Sequence, residues 1–246
     1  FNAFGFSLAN FCQGLIFTFW SYGGMFVFGG LFTALSVGFI NVLPKQIAHR
    51  KSDDPTAPRR RPFYFLILIQ LIVMLGLNSG FAFWLIHFRD NIGIHVEDLG
   101  IILGISALVE APFFALFDPI VRRYDVRLAY ILGASGMGVT WLLMGVATSI
   151  IVLIPILIFR AFVFTMLNLS TLVLIARISD PRNVATNQSL LQVTVPGLAI
   201  LFGAPLMGWI YDHYSPVIFF GVCMLMMLVG SGIMLVVYRF MVPKEA

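Results

Sequence analysis

The sequence predicts an all-α, polytopic membrane protein, and three observations carry that prediction. Of its 246 residues, 60% are hydrophobic and only 11% are charged, against about a quarter charged in a soluble domain. Mean hydropathy is +0.97, and the apolar residues fall in long runs of the kind a spanning helix needs, about 20 residues each. The basic residues collect in short segments between those runs instead of forming an exposed stripe, which argues against a nucleic-acid partner despite a net charge of +4.

About eight runs meet the length criterion. The first spans Phe1 to Trp20 and the second Met25 to Leu43, with a turn at Ser21, Tyr22, Gly23 and Gly24 between them. Phe1 to Phe19 has neither a basic n-region nor a small-residue cleavage site, so it reads as a membrane segment and not a signal peptide. The chain opens without Met, which points to a preceding segment. Residues 44–62 (PKQIAHRKSDDPTAPRRRP) are polar, charged and proline-punctuated, and cannot lie in hydrocarbon with an unsatisfied backbone.

Six further spans follow: Phe63 to Phe88, Leu99 to Phe117, Leu128 to Ala147, Ile150 to Ile175, Thr186 to Ile210 and Pro216 to Tyr238. The expected organisation is therefore two helices in 1–43, a linker in 44–62 and a six-helix block in 63–246. Pro112, Pro155, Pro196 and Pro205 read as kinks that neighbouring helices tolerate. Gly100 with Gly104, and Ala204 with Gly208, read as points of close helix approach. Cys12 and Cys223 lie in apolar runs, far from any zinc or disulfide spacing, and read as packing or lipid-facing residues.

Orientation follows from Lys and Arg in the short loops. The linker holds Lys45, Arg50, Lys51, Arg59, Arg60 and Arg61; loops on its side hold Arg122, Arg123, Arg127, Arg177 and Arg182; the tail holds Arg239 and Lys244. Opposite loops hold only Arg89. The linker and tail are thus expected in the cytoplasm.

Two charged residues fall deep inside spans, Glu110 and Arg160. An ionisable side chain at mid-membrane costs at least about 2.5 to 3.5 kcal/mol on insertion scales, so it marks a pathway, a relay or a pair. Counted from Glu97 and Ile150 at about 1.5 Å per residue, the two lie within about one turn of each other in depth. They are within reach of each other, either as a structural ion pair or as a unit that handles substrate or protons.

Amides add stripes. Ser106 lies one turn before Glu110, Asn168 two turns after Arg160, and Gln70 and Asn78 mark one face of the third span. Asn10 and Gln13 share a face of the first span, and Gln188 and Gln192 a face of the seventh. Singly, such residues can act as interhelical glue. Together, with Trp84 and many phenylalanines nearby, they predict a polar cavity, since amides bond sugar hydroxyls and aromatic faces pack on sugar rings. No soluble-enzyme motif is present, and His49, His87, His95 and His213, read as lying in the linker or near the outer surface, make a metal site improbable. No cofactor is expected.

At the end of the fourth span the chain reads ALVEAPFFALFDPIVRRYDVRLAYILG. This resembles the helix 8 to helix 9 region of major facilitator transporters, where the family's signature loop recurs. Arg122, Arg123, Tyr124 and Arg127 match it, while Asp118 and Asp125 stand where the family has glycines. Glu110 with Pro112 looks like the sugar efflux branch. SLANFCQGLIF is similar to helix 5, LNSGFAFWLIHF to helix 7 and ATNQSLLQVTVPGLAILFGAPLMGWIYDHYSP to helix 11. The resemblance implies helices 5 to 12 of an expected twelve, with substrate near the midplane between two rocking halves. Lactose permease-type transporters are more distant: helix 9 offers Thr140 and Trp141 where they carry arginine, and helix 10 has neither His nor Glu.

The expected function is secondary active transport of a small polar solute, with a sugar or sugar-like compound and proton-coupled efflux favoured. Glu110, Arg160, Asn78, Asn168, Asn10, Gln13, Gln188 and Gln192 are the candidate substrate or coupling residues; Asp118, Arg122, Arg123 and Arg127 are the candidate gating residues. The expected partners are a solute, the bilayer and protons, with the protein acting as a monomer in a plasma or bacterial inner membrane. The alternatives are a drug exporter of the same fold, whose cavity would be dominated by phenylalanine and methionine, and a membrane-embedded enzyme or scaffold.

Overall fold

The computed structural model describes residues 60–123, 125–179 and 183–241, together with the helical positions 27, 28, 30, 31 and 34. The first span with Asn10 and Gln13, and nearly all of the linker, lie outside the described residues. The helices are α1 (Arg60–Asp90), α2 (Val96–Arg123), α3 (Val126–Val146), α4 (Ile150–Ile178), α5 (Val184–Ser189), α6 (Val195–His213) and α7 (Pro216–Met241). A π-helical turn, Leu190–Thr194, joins α5 to α6. Among the described residues, with α5, the turn and α6 counted as one, 6 helices are long and apolar enough to cross a membrane.

Their limits match the apolar runs to within a few residues, with two corrections. α1 starts at Arg60, inside what the sequence reads as linker. Pro62 permits this because a first-turn residue has no intrahelical N–H bond to lose. α2 continues past Phe117 through Asp118, Pro119, Arg122 and Arg123, so most of the segment expected to be a loop is helix. The apolar pattern ends where the helix leaves hydrocarbon, but its backbone bonds are internal and need not end there. α3 begins after the cap Asp125, whose carboxylate accepts the Arg127 N–H at 2.9 Å.

Neighbouring helices pack in the order α6, α1, α7, α3, α4, α2. The outward faces are apolar: Ile101, Ile105, Leu108 and Leu116 on α2 are exposed, while Ser106, Ala107 and Glu110 between them are buried. The same division holds on α4, where Ile151, Ile154 and Ile158 are exposed and Ile156 and Arg160 buried. Such stripes put lipid on one side and the polar groups inside.

Ala204 with Gly208, one of the pairs read from spacing, is not among the tightest approaches. Ala204 is exposed, and a Cβ on Gly208 would meet Phe83 Cζ at an ordinary 3.5 Å. A Cβ on Gly133, by contrast, would lie 2.6 Å from the Leu167 backbone N and 2.8 Å from its Cα. A Cβ on Gly80 would run into the Trp141 indole. Backbone cannot yield as a side-chain tip can, so Gly133→Ala is expected to force α3 from α4 and cost about 1 to 3 kcal/mol. Thermal unfolding in detergent should show a lowered midpoint for Gly133→Ala and none for Gly208→Ala; equal midpoints would refute the α3–α4 contact.

Candidate functional site

The two deep charges meet. On the inward face of α2, Ser106 and Glu110 lie one turn apart, and both accept from Arg160 Nη2 on α4, at 2.7 Å to Oγ and 2.5 Å to Oε1. Arg160 is 4% exposed and Glu110 6%, so the charges are out of water and depend on each other. Aromatic faces complete the surroundings. The Arg160 Cζ lies 5.3 Å from the centre of the Trp84 ring, 5.7 Å from Phe164 and 5.8 Å from Phe81. Cation–π attraction of this kind strengthens where water is excluded.

Beside the pair is a cavity of about 310 Å³ between α1, α4 and the α5–α6 helix, at the small end of the range for small-molecule sites. Its polar lining is Gln70, Asn78, Asn168, Thr171 and Gln192. Phe81 and Phe164, two of the three rings around Arg160, also line it. Asn78 lies 15 residues after Phe63 in a span ending at Asp90, which puts the cavity near mid-depth.

The helix that closes one side is built irregularly. Pro196 offers no N–H to the carbonyl one turn before it, and there the helix widens: the Val195 N–H reaches back to the Leu190 carbonyl in a π pattern. Asn78 Nδ2 donates to the Pro196 carbonyl at 3.3 Å, tying α1 to this irregular turn across the cavity wall. Asn168 Nδ2 bonds its own helix at Phe164 O, 3.1 Å, which leaves its oxygen for other partners. Gln70 accepts from Tyr130 Oη at 3.0 Å and so is partly committed to α3.

Of the residues singled out from sequence, the structure brings Glu110, Arg160 and Ser106 together and puts Asn78, Asn168, Gln70 and Gln192 on one cavity. Gln188 is half-buried and does not line it. His87, expected near the outer end of its span, is in the last turn of α1 and is 2% exposed, with Nε2 3.0 Å from Met144 O. The ends of α3 and α7 cover the last turn of α1, with Phe220 5.4 Å from the His87 ring. Among the gating candidates, Arg127 ties α3 to α7: Nη2 donates to Leu235 O at 3.1 Å and Cζ lies 5.6 Å from the Tyr238 ring centre.

The profile of the MFS_1 like family matches residues 1–222 of the chain. No curated protein matches it.

Proposed function

The chain belongs to the MFS_1 like family, and from that premise we propose that this membrane transporter of the major facilitator type carries a small polar solute, sugar or sugar-like, by proton-coupled alternating access. Efflux is the favoured direction, and the protein acts as a monomer in a plasma or bacterial inner membrane.

The observation that carries this reading is the mid-depth cavity whose lining sets four amides, Gln70, Asn78, Asn168 and Gln192, beside two phenylalanines, Phe81 and Phe164, and one methionine, Met74. That lining supports a hydroxyl-rich solute over the cargo of a drug exporter, for which phenylalanine and methionine would dominate. The adjoining Glu110–Arg160 pair is the coupling device. A guanidinium in contact favours the carboxylate, and separation in apolar surroundings favours the neutral acid. Arg160 does not titrate, so Glu110 carries the proton.

Transport kinetics in proteoliposomes test the division of labour. Asn168→Leu and Gln192→Leu should raise KM about tenfold or more, because each leaves solute hydroxyls unpaired. Arg127→Ala should lower kcat with KM unchanged, since Arg127 holds helix ends together and acts by small population shifts. The opposite assignment of effects would move the solute site to the helix ends. Topology is checked separately in a cysteine-free background. Cysteines at Ser52 and Glu245 should resist a membrane-impermeant thiol reagent in intact cells and one at Asp90 should react; the reverse pattern inverts the orientation.

A further inference from the structure

Arg160 is incompletely used. Both of its hydrogen bonds come from Nη2, and Nε is buried without a partner among the described residues. A guanidinium presents five N–H donors in a planar fork. Its pairing with Glu110 is through one oxygen only, and on the edge that Nε shares with Nη2 the Nε–H has no acceptor while Ser106 takes one of the two Nη2 hydrogens. A buried charged donor left unpaired is costly, and a structural ion pair alone would be better served by two-point contact.

A second donor is stranded close by. Trp141 is fully buried, and its Nε1 also lacks a partner among the described residues. One ring adjoins both groups: the centre of Phe81 lies 5.8 Å from the Arg160 Cζ and 5.0 Å from the Trp141 ring centre. Phe81 lines the cavity, whereas Arg160 and Trp141 do not. The ring therefore adjoins both the cavity and two unfilled donors, one of them cationic.

We propose that the Nε edge of Arg160, beside Phe81, is a subsite for a carboxylate, so that the solute of this cavity is a monocarboxylic acid of sugar-like or similar polar body. The inference rests on the transport reading and names the cargo of that same site. A carboxylate that takes the place of Ser106 Oγ meets Nε and Nη2 together, the planar two-point contact that the guanidinium fork makes and a lysine does not. Charge count favours a monocarboxylate over a phosphate ester. Arg160, Glu110 and a bound carboxylate sum to one negative charge, which a single proton on Glu110 removes. A dianionic phosphate would keep a negative charge in the bundle even then. Binding thus proceeds by displacement of Ser106 from Arg160 Nη2, entry of the carboxylate against Nε and Nη2, and transfer of one proton from water to Glu110; release reverses each step.

Calorimetric titration of the purified full-length protein tests this with glucuronate, lactate and benzoate, each against its methyl ester. At least one acid should bind about tenfold or more tightly than its ester. That preference should disappear in Arg160→Gln and in Arg160→Lys, the second guarding against a variant that fails to fold. In Glu110→Gln it should persist or grow, and the proton taken up on binding by the unaltered protein should be absent. Equal affinity for acid and ester in all three pairs, or an acid preference that survives in Arg160→Lys, overturns the proposal. Proton-driven transport of a neutral solute without acid preference also overturns it, while leaving the transport reading intact.

Discussion

Replacing Glu110 by Gln is expected to abolish solute accumulation or extrusion driven by a pH gradient while solute exchange at equal pH continues. Gln keeps the size of the side chain and an oxygen that can accept from Arg160 Nη2, so the 2.5 Å contact has a neutral substitute. What it removes is the exchangeable proton. If Glu110 carries that proton, binding and rocking survive and only the link to the gradient is cut, with gradient-driven rates falling by roughly two orders of magnitude, the loss expected of a proton-transfer group. Proteoliposomes with and without an imposed pH gradient separate the two activities. Full gradient-driven transport in Glu110→Gln would reduce the pair to a structural contact.

The helices were legible because each buries one face and offers another to lipid over about 20 residues, a pattern that composition alone exposes. Glu110 and Arg160 were legible for the same reason in reverse, as charges where hydrocarbon tolerates none. Their depth along α2 and α4 predicted that they can meet, but not that Ser106 shares the same Nη2. The aromatic surroundings were hidden by abundance. With 25 phenylalanines in the chain, Phe81 and Phe164 carry no distinguishing local signal.

Other features depend on tertiary context. The Asn78 bond to Pro196 joins residues 118 apart in sequence, and the π turn beside it has no marker except the proline. Small-residue spacing is shared by many sites, so Gly133 against Leu167 could not be told from Gly208 against Phe83 before helix rotations were known. His87 shows the same limit. Its place near the end of an apolar run put it at the outer end of the span, where it lies, but gave no sign that the neighbouring ends of α3 and α7 bury its side chain.

Breaking the Glu110–Arg160 pair from either side is expected to lower stability, and combining Arg160→Gln with Glu110→Gln to restore much of what the single change loses. Removing one partner of a buried ion pair leaves the other charge uncompensated, a loss of about 3 to 5 kcal/mol, whereas replacing both by neutral groups is often nearly neutral. Here the single change also strips the positive charge from three aromatic faces and the donor from Ser106. The double variant has no charge at the site, and its two amides can bond each other across the same gap between α2 and α4. A structural pair predicts that recovery of folding restores transport as well. A coupling pair predicts separation of the two: the double variant should melt near the unaltered protein and reach the membrane in normal amounts, yet fail to use a pH gradient. Thermal unfolding and proteoliposome transport on the same three preparations decide between them, and gradient-driven transport in the double variant would end the coupling role.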